Sequence, residues 1–142
     1  MRKKLMVLLV AVAVVGGVVG AKVYDNRERN LGEVFALYTE EFKGMSFHVE
    51  GHPEGWRTLE KKPVEELQEF LGRYQVKKMK DDDWDSNVSS EHGFTLDISN
   101  GHKSLHAHVM EHRIMWRHGY FYVLNGPIDM EWVEDFNEKY GE

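Results

Sequence analysis

The chain has 142 residues, with 18 Lys and Arg against 24 Asp and Glu and a formal net charge of −6. This length suits one domain, and the acidic balance argues against nucleic-acid binding and against electrostatic adhesion to an anionic membrane, both of which need basic patches. The absence of cysteine excludes disulfides, a cysteine nucleophile and the acylated cysteine of a lipoprotein.

The first 21 residues have the pattern of an export signal. Arg2, Lys3 and Lys4 precede an uncharged run, residues 5–21, which ends in small residues that fit a cleavage site. At 17 residues, the run reaches the lower limit of about 17–25 for a membrane-spanning helix. We therefore expect residues 1–21 to be a signal peptide or an apolar anchor helix.

Either outcome predicts an exported, extracytoplasmic protein, because the three cations hold the N-terminus in the cytoplasm. The protein would be secreted or anchored to the cytoplasmic membrane, with membrane contact only through residues 5–21. Without the signal, the chain would keep all eight histidines and carry 15 Lys and Arg against 24 Asp and Glu, a net charge of −9. Full histidine protonation would bring this to about −1, so we expect the surface charge to depend strongly on pH.

The segment after the signal is polar over residues 22–30, which we interpret as a tether, and a single domain is expected over residues 31–142. Apolar side chains at helical spacing predict a helix from Leu31 that stops before Gly44. Strict alternation over residues 45–50 then predicts a half-buried strand.

A turn rich in Gly and Pro is expected at residues 51–55, followed by a second helix that starts near Pro63. The buried stripe of this helix is expected to comprise Val64, Leu67, Phe70, Leu71 and Tyr74. Residues 77–91 are charged and show no apolar periodicity, so no element is predicted there.

From Gly93 onward the apolar period changes to two. Strands are predicted over residues 94–99 and 105–110, with a hairpin turn at residues 100–101, and further short strands over residues 113–116 and 120–124. A last helix is expected to bury Ile128, Trp132, Val133, Phe136 and Tyr140.

This order of elements predicts an α+β fold. We expect an antiparallel sheet of four to five strands with helices packed on one face, preceded by the apolar N-terminal signal or anchor helix. The other face of such a sheet can remain in contact with water.

Three segments carry a resemblance to a group of proteins. They are the Val-Glu-Glu-Leu helix at residues 64–67, the Phe-Thr-Leu-Asp-Ile-Ser-Asn-Gly hairpin at residues 94–101 and the Tyr-Phe-Tyr-Val-Leu strand at residues 120–124. With the basic, apolar start, this layout resembles small exported or membrane-anchored Gram-positive bacterial proteins of unknown function. The resemblance covers residues 45–140, implies a cell-envelope setting and carries no catalytic residue across.

The water-facing side of the sheet contains a candidate metal site. His106 and His108 alternate on one strand, so their imidazoles are expected on one face about 6–7 Å apart. Asp97 and His48 are expected on the same face, and two imidazoles with a carboxylate are a sufficient inner shell for zinc. The alternative is a solvated face that is rich in histidine.

The acidic segment after residue 80 resembles a calcium-binding loop in part. Its oxygen-bearing side chains alternate at Asp81, Asp83, Asp85 and Asn87. Ser86, however, stands where the loop needs glycine, and His92 occupies the twelfth position, where a glutamate is required. A solvated acidic loop is the alternative interpretation.

The sequence contains no nucleophile elbow and no phosphate-binding loop, so it favours a protein that is not an enzyme. We expect a binding or interaction module of the cell envelope, with an envelope protein or a wall component as partner and no cofactor. The alternative is a divalent-metal-binding protein that takes zinc or calcium. A hydrolase with Glu50 and Asp97 as acid and base is a third hypothesis.

Overall fold

A computed structural model of the chain describes residues 2–80, 91–117 and 119–141. Within these ranges the chain forms four helices and eight strands. The helices are α1 (Arg2–Asp25), α2 (Leu31–Thr39), α3 (Lys61–Leu71) and α4 (Met130–Tyr140). The strands are β1 (Arg29–Asn30), β2 (Gly44–Val49), β3 (Trp56–Thr58), β4 (Gln75–Lys78), β5 (Gly93–Ser99), β6 (Ser104–Met110), β7 (Arg113–Trp116) and β8 (Gly119–Val123).

The strands form one antiparallel sheet in the order β1-β4-β8-β7-β6-β5-β2-β3. Strands β5 to β8 are consecutive neighbours, as short hairpin connections favour. Strand β2 pairs with β5, placing Phe47 opposite Leu96, and β4 pairs with β8 on the other side of the meander. The architecture is therefore α+β around a single antiparallel sheet.

The core lies between one face of this sheet and helices α2, α3 and α4. Alternate residues of the central strands are buried, so that Leu96 faces Ala107 across one strand pair and Ala107 faces Trp116 across the next. Aromatic rings join α3 and α4 above this face: Phe70 stacks on Trp132 at a centroid distance of 3.7 Å. Val64, Leu67, Phe70 and Leu71 are buried along α3, which confirms the predicted stripe for these residues, whereas Tyr74 is buried but lies beyond the end of the helix.

Helices α2 and α3 approach each other at a pair of glycines. A Cβ atom on Gly32 would lie 2.7 Å from the Cα atom of Gly72, so the close approach requires glycine at this position. Asn30 caps α2 by accepting from the backbone N–H of Glu33, and its Nδ2 donates to the Gly72 carbonyl oxygen at 2.7 Å. One side chain thus starts α2 and ties it to the end of α3.

The predicted strand number is wrong. Eight strands occur in the described ranges, whereas four to five were expected. The additional strands include β1, β3 and β4, which are two to four residues long and lack an extended apolar alternation. They form because a longer neighbour offers backbone partners, as β2 does for β3 through Phe47 and Trp56.

The prediction of an apolar N-terminal signal or anchor helix is also wrong. Helix α1 spans Arg2–Asp25, and its described side chains over residues 10–21 are exposed. In the part of the chain that the structure describes, no helix is long and apolar enough to cross a membrane. The uncharged section is short, contains three glycines and has basic residues at both ends, all of which lower its apolar character.

Candidate functional site: the polar sheet face

The outward side chains of β2, β5 and β6 form the surface that we call the polar face. In the pairing register, His48 lies opposite Thr95, which lies opposite His108. Ser46, Asp97 and His106 form the neighbouring row. The helices pack on the opposite face, so the side chains expected to face water do so because their apolar neighbours face the core.

Asp97 and His106 form one imidazole–carboxylate pair. They are directly opposite each other in the register, and His106 Nδ1 lies 2.7 Å from Asp97 Oδ1. The two side chains are 62% and 55% exposed, so water screens their interaction. Both groups therefore remain available to hydrogen-bond with another molecule.

A second pair lies at the end of β2. His108 Nε2 is 2.7 Å from Glu50 Oε1, and both side chains are less exposed than those of the first pair. A Cβ atom on Gly93 would come within 3.2 Å of His108 Nε2, so the glycine leaves room for this imidazole. The second pair is consequently the more enclosed.

His48 of β2 and His52, which follows the strand, connect this end of the face to α4. His48 Nε2 lies 3.1 Å from the backbone oxygen of His52, and His52 Nε2 lies 2.7 Å from Glu134 Oε2. Sequence analysis did not find the second contact, because the two residues are far apart in the chain. The pair places an imidazole and a carboxylate beside the sheet edge.

The four predicted metal ligands share a face but do not meet at one point. His106 and His108 contact different carboxylates, and β5 separates His48 from His108, which places their backbones about 9–10 Å apart. Among the residues described, no set of three or more His, Cys, Asp or Glu side chains is arranged to hold a metal ion. In this arrangement the side chains do not fit the tetrahedral shell of a zinc site.

The calcium-loop candidates Asp81, Asp83, Asp85 and Asn87 lie outside the described residues. Directly after that segment, Glu91 forms an ion pair that sequence analysis missed. Arg113 contacts Glu91 Oε1 through Nη2 at 3.0 Å and Nε at 3.2 Å, and both side chains are only 12% exposed. Arg113 lies on the same side of the sheet as the polar face, so this pair fixes Glu91 against β7.

Glu50 and Asp97 are not arranged as a catalytic acid and base. Asp97 pairs with Ser46 in the register, four positions before Glu50, a separation of about 13 Å along the strand. Carboxylate pairs that hydrolyse glycosidic bonds lie about 5–9.5 Å apart. Each of the two carboxylates contacts a histidine instead.

Shifted pKa values occur at the contact between α3 and α4. The Tyr140 hydroxyl donates to Glu66 and is the largest cause that lowers the pKa of this carboxyl; Lys139 adds to the effect, and burial opposes it. The same carboxylate raises the pKa of Lys139 and of Tyr140 through hydrogen bonds. This cluster connects the two helices at the surface of the domain.

Comparison of the chain with protein-family profiles, with curated proteins and with solved structures gave no match. The function is therefore argued from the geometry and chemistry of the described residues.

Proposed function

We propose that the chain is a non-enzymatic binding module that acts outside the cytoplasm, and that its polar face contacts a protein or wall component of the cell envelope. The observation that carries this proposal is the pair of imidazole–carboxylate contacts, both at 2.7 Å, on one side of the sheet. The exposed Asp97–His106 pair can hydrogen-bond to another molecule, and Glu50 and His108 lie on the neighbouring part of the same face.

Histidine makes such a surface responsive to pH. Imidazoles as a class gain a proton between about pH 7 and pH 5.5, so acidification reduces the negative charge of a face that carries Glu50 and Asp97. Repulsion between this face and an anionic envelope polymer falls at the same time. The proposal therefore includes stronger binding to such a polymer at the lower pH.

Binding can be tested by co-sedimentation with purified wall sacculi that carry anionic polymers, at about pH 5.5 and about pH 7.5. The wild type should bind more at the lower pH, and His106→Gln with His108→Gln should remove most of that difference. A matched double variant, His102→Gln with His112→Gln, removes two exposed imidazoles outside the polar face and should behave as the wild type. Equal losses in both double variants, or no binding at either pH, would contradict the role of this face.

Export is supported by the basic residues at positions 2–4 and the uncharged run that follows them. A reporter fused to the C-terminus should be translocated, and replacing Val10 and Val14 with Arg should prevent this. A central arginine costs roughly 2.5–3.5 kcal/mol on insertion scales, whereas replacing the same residues with Leu should be harmless. Translocation of the arginine variant would exclude this route.

A further inference from the structure

A cavity of about 280 Å³ lies beside the edge strand β3, between the turn that precedes this strand and the C-terminal part of α4. Residues that contribute to its lining are Pro53, Glu54, Trp56, Asn137 and Glu138. The volume is just below the range of about 300–1,000 Å³ that holds drug-sized ligands, so the cavity suits a small ligand or one ring of a longer chain. Trp56 lies opposite the buried Phe47 in the register, which places the cavity on the helical side of the sheet, apart from the polar face.

Asn137 places an unmatched hydrogen-bond donor in the wall of this cavity. The residue is 8% exposed, and its Oδ1 accepts the indole N–H of Trp56 at 2.9 Å. Because an indole N–H can only donate, this bond fixes which way the amide of Asn137 points. Its Nδ2 then donates to no acceptor in the part of the chain that the structure describes, although the atom is not sealed from solvent. An acceptor on a ligand in the cavity would satisfy this donor.

The indole of Trp56 supplies an aromatic wall. Its ring packs against Phe47, Phe136 and Tyr140 at centroid distances of 5.3, 5.7 and 6.0 Å, and Phe136 contacts both of the other rings. The indole is nevertheless partly exposed and lines the cavity. A Cβ atom on Gly141 would lie 2.9 Å from Trp56 Cδ1, so glycine at this position leaves room beside the indole. A ring held by the core and open to a cavity can stack on a flat, partly apolar ligand.

Two carboxylates at the rim determine the charge that the cavity accepts. Glu54 and Glu138 are exposed, and neither side chain has a hydrogen-bond or ion-pair partner among the described residues. An anionic ligand would be repelled by both. A cation could pair with the carboxylates but would leave the Asn137 donor without an acceptor. The groups therefore match a neutral ligand that accepts from Asn137 and donates hydroxyl hydrogens to the carboxylates.

We propose that this cavity binds a neutral N-acetylated hexosamine, such as an N-acetylglucosamine residue of a glycan. The acetamido oxygen accepts from Asn137 Nδ2, the C–H groups of the sugar ring stack on the Trp56 indole, and the hydroxyl groups donate to the two rim carboxylates. A peptide carbonyl could also accept from Asn137, but one sugar ring carries several hydroxyl donors, which two carboxylates beside a small cavity favour. This site goes beyond the role proposed for the polar face and does not depend on it.

Two resonances of the ¹⁵N-labelled full-length protein test the site directly, with free N-acetylglucosamine as the probe. The side-chain amide of Asn137 and the indole N–H of Trp56 should shift saturably at millimolar sugar, while the indole N–H of Trp116, on a distant strand, should stay in place. Glucose, which lacks the acetamido group, should bind about 5-fold more weakly or worse, because the Asn137 donor loses its acceptor. No saturable shift, equal binding of glucose, or tighter binding of N-acetyl-leucine amide, as expected of a peptide site, would overturn the proposal.

Asn137→Asp separates the role of the donor from that of the cavity shape. The variant keeps an acceptor for the Trp56 indole and nearly the same size, but replaces the donor that faces the ligand with a carboxylate oxygen. N-acetylglucosamine should bind about 10-fold more weakly or worse, and its advantage over glucose should disappear. A folded variant that keeps this advantage would contradict the assigned hydrogen bond.

A test of the rim carboxylates does not depend on whether Asn137→Asp folds. N-acetylmuramic acid adds a carboxylate to the same acetamido sugar, so the wild type should bind it more weakly than N-acetylglucosamine. Glu54→Gln with Glu138→Gln removes the repulsion and should strengthen binding of the acid by about 3-fold or more at low salt. Glu60→Gln with Glu131→Gln, two exposed glutamates outside the lining, should leave it unchanged. Equal effects in the two double variants would contradict a site at this cavity.

Discussion

The Arg113–Glu91 ion pair and the His106–Asp97 pair lie on the same side of the sheet but differ in burial, and burial sets their contribution to stability. Arg113 and Glu91 are each 12% exposed, whereas His106 and Asp97 are more than half exposed. Glu91 Oε2 is also buried, so removal of the guanidinium would leave a largely buried carboxylate without this partner. A buried charge that loses its partner is among the most destabilising changes in a folded protein.

We therefore expect Arg113→Met to lower the free energy of unfolding by about 3–5 kcal/mol. His106→Gln removes an exposed partner at a similar distance and should cost less than about 1 kcal/mol. Urea denaturation at neutral pH measures both values. Similar losses in the two variants would mean that burial does not separate these pairs.

The Tyr140–Glu66 hydrogen bond gives a prediction with a defined pH window. Tyr140→Phe should lower the free energy of unfolding by about 1 kcal/mol at neutral pH. This value is below the usual contribution of a hydrogen bond to a charged group, because Glu66 is partly exposed and water screens the interaction. The pKa of Glu66 is lowered in the fold, mainly by this bond. The contribution is therefore present above the ordinary Glu value of about 4.3 and is lost as the pH falls through the lower folded value.

At alkaline pH the contribution changes with pH in the opposite direction, because the pKa of Tyr140 is raised by the same carboxylate. That contribution is present below the ordinary Tyr value of about 10 and is lost as the pH rises through the folded value. The deficit of Tyr140→Phe should thus be largest between about pH 5 and pH 9.5, as measured by urea denaturation across pH.

At the scale of elements, the sequence predicts those parts that have their own periodicity. Helices α2, α3 and α4 and strands β2, β5, β6, β7 and β8 correspond to predicted elements, because each carries its own apolar pattern. Strand β4 has Val76 as its single fully buried residue, and β1 has two residues, so neither has a period to detect. Their presence depends on neighbours brought close by the rest of the fold.

The α2–α3 contact supplies a prediction at this scale. Alanine favours a helix over glycine by about 1 kcal/mol, so Gly32→Ala would stabilise an isolated α2. In the domain the new methyl group meets the Gly72 backbone, and we expect a net loss of about 1–3 kcal/mol from overpacking. Gly17→Ala in α1 meets nothing within 4 Å and should cause no loss in the same urea experiment. If Gly32→Ala left the free energy of unfolding unchanged, the two helices would be able to move apart with little loss of stability.

For the whole molecule, the sequence predicted the composition of the polar face but not its contacts. Alternation alone assigns Asp97, His106 and His108 to one side of the sheet. Which carboxylate each histidine meets depends on the order and register of β2, β5 and β6, which a single sequence leaves open.

A single core implies that strands on the two sides of the sheet unfold together. Phe136 is buried against Phe47 of β2, with ring centroids 5.2 Å apart, while β8 lies on the far side of the central meander. Phe136→Ala should cost about 3–5 kcal/mol, the usual range for a large buried aromatic ring. If unfolding is cooperative, amide hydrogen exchange at Phe121 and Val123 should accelerate by the full global loss, although three strands separate β8 from β2. Unchanged exchange in β8, together with faster exchange in β2, would instead divide the domain into two cooperative units despite its continuous sheet.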